Sequence, residues 1–352
     1  MKHMFLALRR QRASYLLAVG MMAGIGLPNA AYAQGQVNII CSVQQEWCNM
    51  LQTVFAKTTG IKVNMVQKGS GEALAQLAAE KANPKTDLWF GGTGDPHLQA
   101  AEQDLTLEYQ SPRLRELHDW AQVQAKQSNY KTVGIYSGPL GFGFNTELLE
   151  RKKLAQPKCW ADLIKPEFKN EVQVANPNSS GTAYTMVATL VQLMGEDKAF
   201  EYMKSLHKNI SQYTRSGTGP IKNAARGETT VSISFVHDVP GEAMQGFPVK
   251  GTTPCEGTGA EIGSMSLIKG ARNLDNAKKF YDWALSAETQ QFGAAAKQFQ
   301  LPSNKLSKVD PRVPDFKSIK FINYDYAKYG KSAERRRLIE RWEKEVNSLP
   351  RS

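Results

Sequence analysis

The sequence predicts an α/β protein built from two domains, and three observations carry that expectation. Short apolar runs alternate with segments whose apolar residues recur at helical spacing, the pattern of a sheet covered by helices. Without its first thirty-three residues the 352-residue chain still has 319, beyond the size at which one core usually suffices. No low-complexity linker or internal repeat divides it, so the chain is expected to cross between domains more than once on extended segments.

The first thirty-three residues read as an export signal. Lys2, Arg9, Arg10 and Arg12 make a positive n-region, an apolar stretch runs from Tyr15 to Leu27, and AYAQ sets small residues at Ala31 and Ala33. The stretch is too short for a membrane helix. Cleavage after Ala33 removes four cations and takes the formal net charge from +11 to +7. Such a surface mildly attracts anions. No basic stripe interleaved with aromatics and no nucleic-acid-binding motif accompanies it, so nucleic acid is not an expected partner.

Four cysteines in an exported chain suggest disulfides. Of the three pairings, Cys41–Cys48 is favoured because its loop is short and local, which leaves Cys159–Cys255. A metal site at Cys41 and Cys48 lacks the second close Cys or His pair that tetrahedral coordination needs.

The elements follow in order. QVNIICSV is a strand, and EWCNMLQTVFAKTTG is a helix in which Trp47, Met50, Leu51, Val54 and Phe55 share a face and Gly60 is the stop. IKVNMVQ is a strand of alternating Ile61, Val63 and Met65. GSGEALAQLAAEKA, TDLWFGG and GDPHLQAAEQD give helix, strand and helix, which completes a parallel βαβαβ unit. KTVGIYSGPLGFGFNTELL is glycine-rich and extended. CWADLIKPEFKNEVQVANP reads helix, turn, strand, and SSGTAYTMVATLVQLMGE and KAFEYMKSLHKN read as helices. GPIKNAARGE is a short helix and TTVSISFV a strand. EGTGAEIGSMSLIKGARN is extended, and LDNAKKFYDWALSAETQQFGAAA is helical. In a later helix Leu338, Ile339, Trp342 and Val346 form the apolar face, and Arg335–Arg337 are expected on the solvated one.

Four stretches place serine, threonine and glycine at a helix start on a sheet edge: GSGEA (Ser70, Gly71), GGTGD (Thr93, Gly94), NSSGT (Ser179, Ser180, Gly181, Thr182) and RSGTGP (Ser216, Gly217). Ligands of open α/β sheets bind at the carboxyl ends of strands. Free N–H groups with a helix dipole behind them hold anions there, although each motif alone is also an ordinary cap. His237 and Asp238 follow the strand TTVSISFV. Neighbours in a regular strand face opposite ways, so a catalytic dyad needs a bend, and no nucleophile elbow follows a predicted strand. At the strand end both could instead reach into the cleft, where Asp238 accepts from hydroxyls and His237 donates or accepts. No catalytic residue and no cofactor is expected.

The order and spacing of GSGEALAQL, DLWFGGTGDPHLQAAEQDLT, GPLGFGFNTELL with CWADLIKPEFKNEVQVANP, NSSGTAY and EGTGAEIGSMSLIKGARN resemble the periplasmic solute-binding proteins of ABC importers. The resemblance is to the ferric-binding-like (type II) branch, and within it to members that bind hexose phosphates. It implies two lobes, each a mixed sheet flanked by helices, joined by hinge strands. Lobe 1 would hold 34–142 plus 256–352, and lobe 2 would hold 143–255. It further implies a monomer in the periplasm that closes around a small phosphosugar or organophosphate and hands it to an inner-membrane permease. Glu261 and Glu256, on the segment returning to lobe 1, become candidate hydroxyl acceptors, Glu261 the stronger. Glu256 is alternatively a support for its glycine turn. The competing cargo is ferric iron, for which such carriers supply a neighbouring tyrosine pair. This chain has no YY: Tyr184 and Tyr213 stand alone, and Tyr324 and Tyr326 lie in NYDYAKY.

Overall fold

The computed structural model describes residues 35–350, so the expected export signal lies outside the described residues. Its strands are β1 (Gln36–Cys41), β2 (Lys62–Gln67), β3 (Leu88–Thr93), β4 (Val133–Asn145), β5 (Val172–Ala175), β6 (Ile210–Thr214), β7 (Val231–Phe235), β8 (Val249–Thr252), β9 (Ala260–Leu267) and β10 (Leu301–Pro302). They join in the order β2-β1-β3-β9-β4-β7-β5-β6, with β8 and β10 both on β4. β1, β2 and β3 are parallel, as are β5, β6 and β7, while β9 and β4 run antiparallel to their neighbours.

The mixed character follows from β4. This strand is buried along its whole length. Its residues Val133–Pro139 pair with β9, and Leu140–Phe144 then pair with β7. One unbroken strand therefore belongs to both halves, which is the extended crossing the missing linker led us to expect. A second crossing lies beside it, where the Leu140 N–H donates to the Gly259 carbonyl (3.0 Å) and Thr258 Oγ1 donates to the Leu140 carbonyl (2.8 Å).

Each half has its own core. Trp47, Phe55, Phe90, Tyr136 and Phe280 cluster in the first, and Phe142, Trp160, Tyr184, Phe200 and Trp342 in the second. At the C terminus this packing departs from the expected block 256–352 in lobe 1. Leu338, Trp342 and Val346 of the last helical segment are buried in the second core, because the apolar face read in the sequence finds its partners there. Arg335 departs as well. It is buried rather than solvated, its guanidinium lies over the Tyr184 ring (4.7 Å) and it donates to the Pro177 carbonyl (3.0 Å). Arg337, by contrast, keeps the expected exposed place and pairs with Glu196.

Cys41–Cys48 and Cys159–Cys255 are the two disulfides. β6 and β8 escape the sequence reading, since ISQYT and VKGT are too short and too polar to show a period. The helix expected at Trp160 is a pair of 3-10 turns, and the helical stretch after Leu274 is broken where Ser286 caps a new turn by accepting from the Thr289 N–H (3.3 Å). Among the described residues no helix is long and apolar enough to cross a membrane.

Candidate functional site

The carboxyl ends of all six parallel strands converge on one cavity of about 280 Å³. From the first half come Ser42 and Gln44 after β1, Lys68 and Ser70 after β2, and Gly92 and Thr93 at the end of β3. From the second come Ser180, Gly181 and Thr182 after β5, Arg215–Thr218 after β6, and His237 and Asp238 after β7. The crossing strands add Tyr136 and Glu261, and Gln300 precedes β10.

One end is rich in donors. The helices Ser70–Ala79 and Gly181–Met194 both begin at the cavity, so their first N–H groups and dipoles favour negative charge there. Ser180 caps the second helix by accepting from the Ala183 N–H (3.4 Å), which leaves its own proton to donate. Ser70 Oγ accepts from the Thr93 N–H (3.2 Å), and the buried Thr93 hydroxyl has no partner among the described residues. Lys68 and Arg215 add positive charge at the rim. Arg215 is paired with Glu72, and the Gly71 N–H donates to the Ser179 carbonyl (3.2 Å), so the two halves touch beside the helix starts.

The other end carries carboxyls. β7 runs straight into a 3-10 turn, Val236–Asp238, and this bend turns both His237 and Asp238 inward. His237 Nε2 lies 3.6 Å from Asp238 Oδ1 and 3.5 Å from Glu261 Oε1, with its ring stacked on Phe235. Gln44 Nε2 donates to Asp238 Oδ1 from the opposite half. Gly138 is what lets His237 sit so deep, since a Cβ there would lie 1.9 Å from its Nδ1. Burial pushes the imidazole down to about 3 and the Asp238 carboxyl up to about 7; it also raises Glu261 well above the usual carboxylate range, helped by Asp238. The bend that a dyad required is thus present. However, no serine, threonine or cysteine hydrogen-bonds His237 among the described residues, so a nucleophile–base pair is not assembled.

Asp238 gives this end a pH dependence. Its raised value means that the folded protein holds a proton which the unfolded chain gives up at a lower pH. The resulting stability is complete below the unfolded value and lost as pH rises through about 7. Asp238→Asn should therefore leave the melting temperature of the ligand-free protein unchanged near about pH 4 and raise it by several degrees near about pH 8. Parallel melting curves for wild type and variant check this; an equal difference at both pH values would assign the effect to packing.

Of the residues singled out from sequence, Ser70, Thr93, Ser180, Gly181, Thr182, Ser216, Gly217, His237, Asp238 and Glu261 line the cavity. Gly71, Gly94, Ser179 and Glu256 do not. Gly71 and Ser179 are engaged with each other, and Gly94 packs on β9, where a Cβ would meet the Ile262 carbonyl oxygen at 2.7 Å. Glu256 accepts from the Trp160 (2.8 Å) and Ala161 (3.0 Å) N–H groups, a structural role beside the Cys159–Cys255 bridge. Sequence reasoning passed over Gln44, Lys68, Tyr136, Arg215 and Gln300. Lys68 adjoins GSGEA and Arg215 opens RSGTGP, so both were within reach, whereas Gln44, Tyr136 and Gln300 belong to none of the four motifs.

The tyrosines open to iron are otherwise engaged. Tyr324 donates to Asp95 (3.1 Å), Tyr326 to the Ala260 carbonyl (2.6 Å) and Tyr184 to the Tyr329 carbonyl (2.8 Å), while Tyr213 bonds His207 (2.9 Å). Tyr136 does reach the cavity, but its oxygen accepts from the Gly92 N–H (2.9 Å) and burial raises its phenol well above normal. Among the described residues the metal-ligating side chains that cluster are Cys159, Cys255 and Glu256, and the two cysteines are joined in a disulfide.

Residues 84–329 match the model of the bacterial extracellular solute-binding protein family. A Haemophilus influenzae protein of uncharacterized function is 44% identical over 328 residues, covering 93% of this chain and 95% of that protein. The periplasmic binding protein AfuA from Actinobacillus pleuropneumoniae, solved with exogenous fructose-6-phosphate bound, superimposes with a TM-score of 0.87 at 46% identity over 90% of this chain and 100% of its own. The periplasmic binding protein P5PA gives 0.86 at 41% identity, covering 89% of this chain and 100% of its own.

Proposed function

Because the chain belongs to the family of bacterial extracellular solute-binding proteins, we propose that it captures a small phosphorylated sugar, or a related organophosphate, in the cavity between its lobes. It works in the periplasm and delivers its cargo to the permease of an ABC importer. The observation that carries the choice of ligand is the polarity of the cavity. Helix starts, hydroxyls and cations occupy one end, and Asp238, Glu261 and His237 occupy the other. A ligand with a dianion at one end and hydroxyls at the other matches both, and the similarity to a structure holding fructose-6-phosphate supports the same reading.

In this reading Ser70, Thr93, Ser180, Gly181, Thr182, Ser216 and Gly217 hold the phosphate, with Arg215 and Lys68 steering it. Asp238 and Glu261 accept from hydroxyls, and neutral His237 and Gln44 complete that end. The lobes meet along β4 and the strand β9 beside it, and closure brings Gln44 to Asp238 and Arg215 to Glu72. Ferric iron is the weaker reading, because the tyrosines that could serve as phenolates are hydrogen-bonded elsewhere. We take the protein to be a monomer and not an enzyme.

A thermal-shift panel of hexose phosphates, parent hexoses, inorganic phosphate, phosphonates and Fe(III) tests the proposal. At about 100 times its dissociation constant a true ligand adds about 2.7 kcal/mol, a shift of several degrees at this size. The ligand should be recovered unchanged afterwards. Stabilisation by Fe(III) alone, or release of free phosphate at a catalytic rate, would count against it.

A further inference from the structure

A second cavity, of about 410 Å³, lies beside the first. The two share Gln44, Thr218 and Asp238, and the hydrogen bond from Gln44 Nε2 to Asp238 Oδ1, made between opposite lobes, joins two of these shared residues. Both residues are buried, and Gln44 Oε1 has no partner among the described residues. A ligand whose phosphate sits at the helix starts and whose carbon chain continues past Asp238 meets this bar and, beyond it, the larger cavity.

We propose that the second cavity is a subsite for the far sugar of a phosphorylated disaccharide, and that the Gln44–Asp238 hydrogen bond is the gate that sets ligand length. The lining decides the class of ligand. Ile221, Met50 and Phe247 offer an apolar floor for the face of a sugar ring. The cations Lys222, Arg226 and Lys297 stand beside the carboxyls of Glu46, Glu242 and the shared Asp238, a mixed set of donors and acceptors. Uncharged hydroxyls suit such a mixed set, since cations donate to them and carboxylates accept from them. Lys222 and Lys297 have no ion-pair partner within 4.0 Å among the described residues, so their donors are open to a ligand. The subsite rests on the phosphosugar reading above and extends it past the gate.

Calorimetry of the full mature chain with glucose-6-phosphate and with trehalose-6-phosphate, whose second glucose is attached at the end remote from the phosphate, is the test. Wild type should bind the disaccharide phosphate more weakly than the monosaccharide, because the gate has to open. Gln44→Ala and Gln44→Ser should each raise affinity for the disaccharide phosphate about tenfold, as expected for releasing one hydrogen bond of about 1.4 kcal/mol. Lys297→Ala and Glu242→Gln should weaken the disaccharide phosphate only. Binding of glucose-6-phosphate with no binding of trehalose-6-phosphate by wild type or either Gln44 variant overturns the subsite and leaves the phosphosugar reading standing. Disaccharide binding that is indifferent to Lys297→Ala and Glu242→Gln also overturns it. Failure of both while fructose-6-phosphate binds overturns the subsite, and failure of all three sugar phosphates overturns both readings.

Discussion

At about pH 8, where its carboxyl is ionised, Asp238→Ala is expected to weaken binding of a hexose phosphate by about ten- to a hundredfold, the equivalent of about 1.5–3 kcal/mol for a charge-assisted hydrogen bond. The carboxyl is buried in the cavity, and among the described residues Gln44 is the side chain that donates a hydrogen bond to it. Without it, ligand hydroxyls enclosed at that end lose their acceptor. Selectivity gives the sharper readout. Asp238→Ala should narrow the gap between sugar epimers, because an epimeric hydroxyl is what a fixed acceptor reads. Ser180→Ala and Thr182→Ala should instead narrow the gap between a phosphosugar and its unphosphorylated parent, each at about 0.5–1.5 kcal/mol since backbone donors remain. Titrating both ligand pairs into each variant separates the two effects. Unchanged affinity and epimer preference in Asp238→Ala would reduce the residue to a turn former.

Gly181→Ala is expected to lose a similar amount for a steric reason. A Cβ at this first helical residue would lie 1.8 Å from Thr93 Oγ1, which projects from β3 in the other lobe. Overpacking of this kind costs about 1–3 kcal/mol. Because the clash lies between the two lobes, it is expected to oppose their approach around a ligand and to lower affinity about ten- to a hundredfold. Thr93→Ala on its own should weaken binding slightly by removing a donor, yet added to Gly181→Ala it should recover part of the loss, because it takes away the clashing oxygen. A double-mutant cycle by calorimetry measures that coupling. Simple additivity would place the Gly181 effect within its own helix.

The first half of the fold was legible because its elements are long and their periods clean: β1, β2, β3 and the helices between them lie where the alternation of apolar residues put them. The second half was less so. β6 and β8 are short and polar, and their strand character comes from pairing with β5 and β4 rather than from their own composition. In the candidate site, the glycine- and hydroxyl-rich helix starts could be read because a cap and an anion cradle share one local chemistry. Gln44 could not, since its role arises from meeting Asp238, 194 positions away in the other lobe. Tyr136 was hidden in the extended crossing strand, and Arg335 was assigned to solvent because its helix shows an apolar face without saying that Tyr184 and the Pro177 turn cover its basic flank.

The most direct test is a calorimetric titration of the mature protein with fructose-6-phosphate, fructose, inorganic phosphate and Fe(III). Saturable heat with one ligand per chain for the phosphosugar, with neither fructose nor phosphate alone matching it, is the expected result, since each fragment satisfies only one end of the cavity. Tight binding of Fe(III) with a red colour, and no heat from any sugar phosphate, would contradict it.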